Sequence, residues 1–175
     1  LPEGEGLVPQ LQAWLTAQGS DITLINAGVS GDTSAGGLSR LDWSLTPETD
    51  ALIVTLGGND LLRGIPPSET RSNIDTIVKQ ATERGLKVLI VPMEASGNFG
   101  PDYKAQFDAL YPEIATAHGA QITQPFFRLL DPKATDPGQI SQWMQADGIH
   151  PNKDGVAKIV TNLGPAILDL AKETE

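Results

Sequence analysis

Short runs of Val, Ile and Leu alternate along this chain with longer stretches whose apolar residues recur at helical spacing. The short runs fall at 22–25, 52–56 and 87–91, with a weaker one at 121–123. They read as continuously apolar rather than alternating. That suits strands of a parallel sheet covered on both faces. Between them, Leu7, Leu11, Trp14 and Leu15 repeat at helical spacing and stop at Gly19. Residues 67–84 put Ile74, Ile77 and Val78 on one face and end at Gly85. Residues 103–118 do the same with Phe107, Leu110 and Ile114 before Gly119. A last helix over 154–172 carries Ile159, Leu163, Ile167 and Leu170, with Gly164 and Pro165 as a possible kink. Helices alternating with strands through short connections specify an α/β fold, a doubly wound, mostly parallel sheet in a three-layer α/β/α sandwich. The 175 residues are expected to form a single domain.

Composition narrows the chemistry. Twenty-two acidic against 12 basic residues leave a net charge of -10, which argues against nucleic acid as a partner. With no cysteine, disulfides, thiolate catalysis and Cys-based zinc sites are excluded. No apolar run approaches the length of a membrane span.

In open α/β sheets, ligands bind beyond the carboxyl ends of the strands. The segments there are polar: Asn-Ala-Gly-Val-Ser-Gly-Asp-Thr at 26–33, Gly-Gly-Asn-Asp at 57–60, Met-Glu-Ala-Ser-Gly-Asn at 93–98, and Asp-Gly-Ile-His-Pro-Asn at 147–152. In a loop, Asp147 and His150 are close enough for the carboxylate to hold one ring nitrogen and leave the other as a general base. The plainer alternative is a helix-capping Asp beside a surface His. Gly31 and Asn59 are candidate donors to a developing oxyanion, or else a turn glycine and a loop amide bonded to its own backbone. Asp32 and Thr33 read as caps of a helix near Ser34, Asp60 and Arg63 as an ion pair, and His118 as a capping or surface residue. Gly28, Gly31, Gly36 and Gly37 fit no phosphate-loop pattern. A metal cluster of Asp32, Asp60, Asp147 and His150 would leave the Asn and Gly positions without a role. Residues 131–143 read as an exposed segment able to cover the site.

Taken together, the stretches at 26–33, 56–64 (Leu-Gly-Gly-Asn-Asp-Leu-Leu-Arg-Gly) and 147–152 resemble the SGNH (GDSL) hydrolases, and within them the bacterial thioesterase I/arylesterase branch. Pro125, Phe126 and Phe127 and the region 103–112 resemble it too. The resemblance implies a flavodoxin-like SGNH fold and a two-step acyl-enzyme mechanism on a small acyl ester or thioester, without cofactor or metal. It implies that the Gly31 backbone N–H and the Asn59 amide form the oxyanion hole. His150 would be the general base and then acid, oriented by Asp147. It also implies a periplasmic or secreted location.

The resemblance places the nucleophile in a Gly-Asp-Ser-Leu block after a first strand, and this block is expected upstream of Leu1. None of the chain's own serines sits in G-x-S-x-G. Ser30 is nearest to Gly31 and reads as a loop-packing hydroxyl. Losing three or four buried aliphatic side chains with a first strand would cost about 5–10 kcal/mol, which rivals the stability of a whole domain. The expectation is therefore that the folded molecule contains that strand, as an N-terminal peptide of its own. A nucleophile-less binding module and a carbohydrate-acetyl esterase on the same fold are the alternatives.

Overall fold

In the computed structural model, which describes residues 1–133 and 137–174, three parallel strands lie side by side in the order β1 (Ala51–Val54), β2 (Lys87–Ile90) and β3 (Gln121–Ile122). Ala51 pairs with Lys87 and Val54 with Ile90; Leu89 pairs with Gln121. The ladder runs one bond further at Val91 N–H to Val54 O (2.9 Å) and Thr123 N–H to Ile90 O (3.0 Å). Helices are α1 (Leu7–Ala17), α2 (Ser34–Ser39), α3 (Leu41–Ser44), α4 (Gly58–Leu62), α5 (Pro67–Glu83), α6 (Pro101–His118) and α7 (Lys153–Lys172).

Successive strand residues feed two cores, as the period of two requires. Leu52, Val54, Val88 and Ile90 pack with Ile74, Ile77 and Val78 of α5 and Phe107, Leu110 and Ile114 of α6. Ala51, Ile53, Leu89 and Val91 pack instead with Leu11 and Leu15 of α1 and Ile159, Leu163 and Ile167 of α7. The sheet is thus covered on both faces, which gives the three layers, and the helix faces read from spacing are the ones buried.

Local signals set the helix ends. Prolines open α5 and α6, where the missing N–H leaves no bond unmade. Gly119 closes α6 in the left-handed region, at φ 64°. The Asn152 side chain caps α7 by accepting from Gly155 N (2.9 Å). α7 continues through Pro165 as one helix. Gly164 has a packing role there, because a Cβ would sit 2.3 Å from the Trp14 ring.

One expectation needs correction. Residues 22–25 are not a strand. Being a strand is a property of a ladder, and this run has none. Two of its backbone groups bond a side chain of α1 instead: Gln12 Nε2 donates to Ile22 O (2.9 Å) and Gln12 Oε1 accepts from Leu24 N (2.8 Å). Ile22 and Leu24 pack on the α1/α7 core, while Ile25 is 58% exposed. Where the segment 131–143 is described, most of it is exposed, as the sequence suggests. Residues 134–136 lie outside the described residues. Beyond them a 3₁₀ turn (Pro137–Trp143) packs Ile140 and Trp143 on the second core, with the Lys158 ammonium 4.3 Å from the Trp143 ring centre.

Candidate active site

The first site segment is the loop that leads into α2. Gly31 sits at φ +79°, a left-handed conformation that a side chain would strain. The turn closes with Asp32 N–H on Val29 O (3.2 Å). Arg40 reaches back from the end of α2 to bond the Asp32 carboxylate (2.6 Å) and the Ala27 carbonyl. Thr33 caps α2, accepting from Gly36 N (3.2 Å). Gly36 and Gly37 are glycines for packing: a Cβ would lie 1.7 Å from Asp32 Oδ1 at one and 2.5 Å from Leu56 Cδ1 at the other.

The second segment is the tight turn from β1 into α4. Gly57 has φ +107°, and a Cβ there would meet the Tyr111 hydroxyl at 2.1 Å. That hydroxyl donates to Leu56 O (3.0 Å), so a buried tyrosine of α6 pins the turn. Asn59 follows on the first turn of α4 and donates through Nδ2 to Asp32 O (2.9 Å). Four residues on, Arg63 Nη2 donates to Gly31 O (2.8 Å). The structure therefore brings Asn59 and Gly31 together, with the Asn59 amide keeping its second N–H uncommitted among the described residues.

The third segment precedes α7. Asp147 Oδ2 is 2.8 Å from His150 Nδ1, while its Oδ1 accepts from the backbone N–H of Ile149 (2.9 Å) and His150 (3.0 Å). Gly148, at φ +66°, lets the loop turn back on itself. The His150 backbone N–H, its imidazole and the Ile149 N–H hold the Asp147 carboxyl well below the usual carboxylate range. His150 is 64% exposed, and among the described residues no hydroxyl hydrogen-bonds its Nε2. The loop is braced from behind by Gln145 N–H on His150 O (2.8 Å), the Met144–Pro151 bridge and Asn152 N–H on Trp143 O (2.8 Å). Among the described residues, no hydrogen bond joins the Asp147–His150 pair to Gly31 or Asn59.

Several sequence readings change here. Asp60 does not pair with Arg63. It is fully buried and accepts from Ser34 N (2.8 Å), Ser34 Oγ and Thr70 Oγ1 (3.0 Å), while Arg63 goes to Gly31. Asp32 pairs with Arg40 rather than capping α2. Asp147 does not cap α7, since Asn152 does. His118 closes α6 but is no mere surface residue: its Nε2 lies 2.8 Å from Asp75 on α5. Ser30 is exposed in its loop. The carbohydrate-acetyl esterase alternative gains no aromatic platform, because the three tryptophans lie apart: Trp14 packs on Gly164, Trp43 is 90% exposed on α3, and Trp143 lies under Lys158. Sequence reasoning missed Arg40, Arg63 and Asp60 as braces of the Gly31 loop. It also missed a charged clamp on the segment after β2, where Glu94 meets Arg128 (3.1 Å) and Lys104 (3.6 Å) and Asp108 accepts from Ala95 N (2.7 Å).

The comparisons with known proteins give the family and the fold. Esterase TesA of Pseudomonas aeruginosa is 37% identical over 171 residues, 97% of this chain and 82% of that protein. Thioesterase 1/protease 1/lysophospholipase L1 of Escherichia coli is 36% identical over 136 residues, 77% of this chain and 62% of that protein. The crystal structure of psychrotrophic esterase EstA from Pseudoalteromonas sp. superimposes with a TM-score of 0.86 at 32% identity, covering 98% of this chain and 91% of that one. The sequence model of the GDSL-like lipase/acylhydrolase family matches residues 3–158, and the chain belongs to that family.

Proposed function

We propose that this chain is the scaffold of a serine hydrolase that cleaves small carboxylic esters or thioesters by way of an acyl-enzyme. One observation carries the reading: a carboxylate, fixed by two backbone N–H groups, holds Nδ1 of an imidazole whose Nε2 faces away from it. In this mechanism Asp147 keeps the proton on Nδ1 and stabilises the imidazolium. His150 Nε2 takes the proton from the serine as it attacks the acyl carbon, then delivers it to the leaving alcohol or thiol. The Gly31 N–H and the second N–H of Asn59 receive the developing oxyanion. A water molecule, activated by the same imidazole, then releases the acid.

The reading places the nucleophilic serine at the end of a strand between residues 22–25 and β1, in this chain's own N-terminal peptide. Two features support that position. The outer edge of β1 carries no ladder partner among the described residues, and Ala51, Leu52 and Ile53 are only half-buried while Val88, Leu89 and Ile90 of β2 are fully buried. Residues 22–25 lie alongside the α1/α7 core, where Ile22 and Leu24 pack, and among the described residues no strand pairs with their backbone. The reading carries with it a periplasmic or secreted location, which cell fractionation tests.

The decisive experiment uses the full-length protein. It should hydrolyse p-nitrophenyl butyrate and take up a fluorophosphonate at one serine, and His150→Ala should abolish both. Turnover that survives His150→Ala, or a wild-type protein that takes no label, would overturn the proposal.

A further inference from the structure

Asp60 is the one acidic side chain with no exposure among the described residues, and the acyl-transfer steps above do not use it. An unpaired buried carboxylate is expensive, so its partners show what it is for. Among the described residues it has no cationic partner. Instead it accepts from the Ser34 backbone N–H (2.8 Å), the Ser34 hydroxyl and the Thr70 hydroxyl (3.0 Å), and Asn73 Nδ2 donates to Ser34 Oγ (3.0 Å). Ser34 and Thr70 are themselves fully buried. The three bonds to Asp60 thus join α2, α4 and α5 out of reach of water, with the half-buried Asn73 at the network's edge.

We propose that Asp60 is a positioning residue of the oxyanion site, locking the loop that carries Gly31 to the helix that carries Asn59; the proposal rests on the hydrolase reading above. Asn59 and Asp60 are neighbours on α4 and grip the same loop at two points. Asn59 holds Asp32 O and Asp60 holds Ser34 N, two residues further on. Arg63 holds Gly31 O as a third point. Three bonds across residues 31–34 fix the direction in which the Gly31 N–H points. That direction matters because a backbone N–H and a side-chain amide from separate segments must meet at one oxygen, each at about 2.7–3.1 Å. A misplacement of about half an ångström spoils such a site. Arg63 and Asn59 reach toward solvent, whereas the Asp60 bonds face no competition from water.

The charge of Asp60 makes the sign of the effect informative. A negative charge near a developing oxyanion opposes it, so Asp60→Asn would speed the reaction if charge were what mattered. Positioning predicts the reverse, because an amide has one acceptor oxygen where the carboxylate has two, so an N–H must face either the Ser34 N–H or the Ser34 and Thr70 hydroxyls and the network is reset. In the full-length protein, Asp60→Asn should lower kcat by about 10- to 100-fold, a fraction of the loss of an oxyanion donor, with KM changed less than about threefold. The inhibition constant of an arylboronic acid, which forms a charged tetrahedral adduct, should rise by the factor by which kcat/KM falls. A purely structural role moves melting temperature without that correspondence.

Should Asp60→Asn not fold, two single-bond variants decide. Ser34→Ala, where the loop enters α2, should lower kcat several-fold; Thr70→Val, on α5, should lower the melting temperature and leave kcat within about twofold. Equal kcat effects from these two, or an Asp60→Asn enzyme as fast as wild type or faster, would overturn the inference. Labelled wild-type protein with an unaltered Asp60→Asn variant sinks this inference alone. Wild-type protein that takes neither fluorophosphonate nor boronate sinks the hydrolase reading, and this inference with it.

Discussion

Replacing Gly57 with Ala should destabilise the protein in a way that depends on one oxygen atom of Tyr111. Gly57 stands at φ +107°, ψ -16°, where a Cβ is strained by about 1–3 kcal/mol. The same Cβ would lie 2.1 Å from Tyr111 Oη and 3.3 Å from Phe107 Cζ. That is more than roughly 1 Å inside ordinary contact. Tyr111 and Phe107 are buried and cannot swing out, so overpacking adds about 1–3 kcal/mol. The sum is about 4 kcal/mol, a fall in melting temperature of about 8–16 °C for a domain of this size. In a Tyr111→Phe background the clashing oxygen is gone; the Tyr111 ring carbon stands at an ordinary 3.4 Å from the added methyl, and Phe107 Cζ, at 3.3 Å, need give only a few tenths of an ångström. Gly57→Ala should then cost only its backbone strain, about 2 kcal/mol, leaving a coupling of about 2 kcal/mol in the double-mutant cycle. Tyr111→Phe alone strips Leu56 O of its donor, at about 1–3 kcal/mol. Urea unfolding of the four proteins measures the cycle. Turnover should follow the same pattern, because Asn59 lies two residues beyond the strained turn. Additive costs, agreeing within about 0.5 kcal/mol, would refute the argument that this oxygen shapes the turn.

Two further outcomes follow from the charged groups. Asp147→Asn should lower kcat by about 10³- to 10⁴-fold with little change in KM, since an amide N–H opposite Nδ1 favours the wrong tautomer; steady-state kinetics showing less than a tenfold loss would contradict the role given to that carboxylate. Glu94→Gln should lower stability in a pH-dependent way. The Arg128 guanidinium, with Lys104 behind it, holds the Glu94 carboxyl below its ordinary 4.5. A depressed pKa contributes stability above the unfolded value and loses it as pH falls through the folded one. The gap in melting temperature between wild type and Glu94→Gln should therefore be widest near neutrality and close between about pH 5 and 3. A gap that widens on acidification would reverse that sign.

What was legible in the sequence was what a segment encodes by itself. The faces of α5, α6 and α7 follow from spacing because a helix makes its own hydrogen bonds, and burial only selects the side. The runs of β1 and β2 were legible because each is apolar on both faces. Residues 22–25 have the same composition and are not a strand, since a ladder needs a neighbour and Gln12 of α1 supplies the bonds instead. The Asp147–His150 contact closes within one loop and was readable from its spacing. The bracing of Gly31 was not: Ser34 to Asp60, Asp32 to Asn59 and Gly31 to Arg63 span 26, 27 and 32 residues. Sequence logic paired Asp60 with Arg63 because they lie three apart in the segment after Asn59, which the structure makes a short helix. Such a pair is worth only about 0.2–0.5 kcal/mol, less than the donors of Ser34 and Thr70 provide to a buried carboxylate.

The two halves of the proposed machinery are anchored in opposite layers. Asn59, Asp60 and the turn at Gly57 belong with α5 and α6, where Leu61, Phe107 and Tyr111 pack into one core. The Asp147–His150 loop belongs with α7, where Trp143 and Met144 pack into the other. At its base Gly155 admits no side chain, since a Cβ would lie 2.2 Å from Trp143 O. The sheet is what the two layers share. A substitution deep in either core can therefore shift one half against the other without breaking a bond within either. Under the hydrolase reading its signature would be a loss of kcat in an enzyme whose triad carboxylate, imidazole and oxyanion donors each keep their own partners.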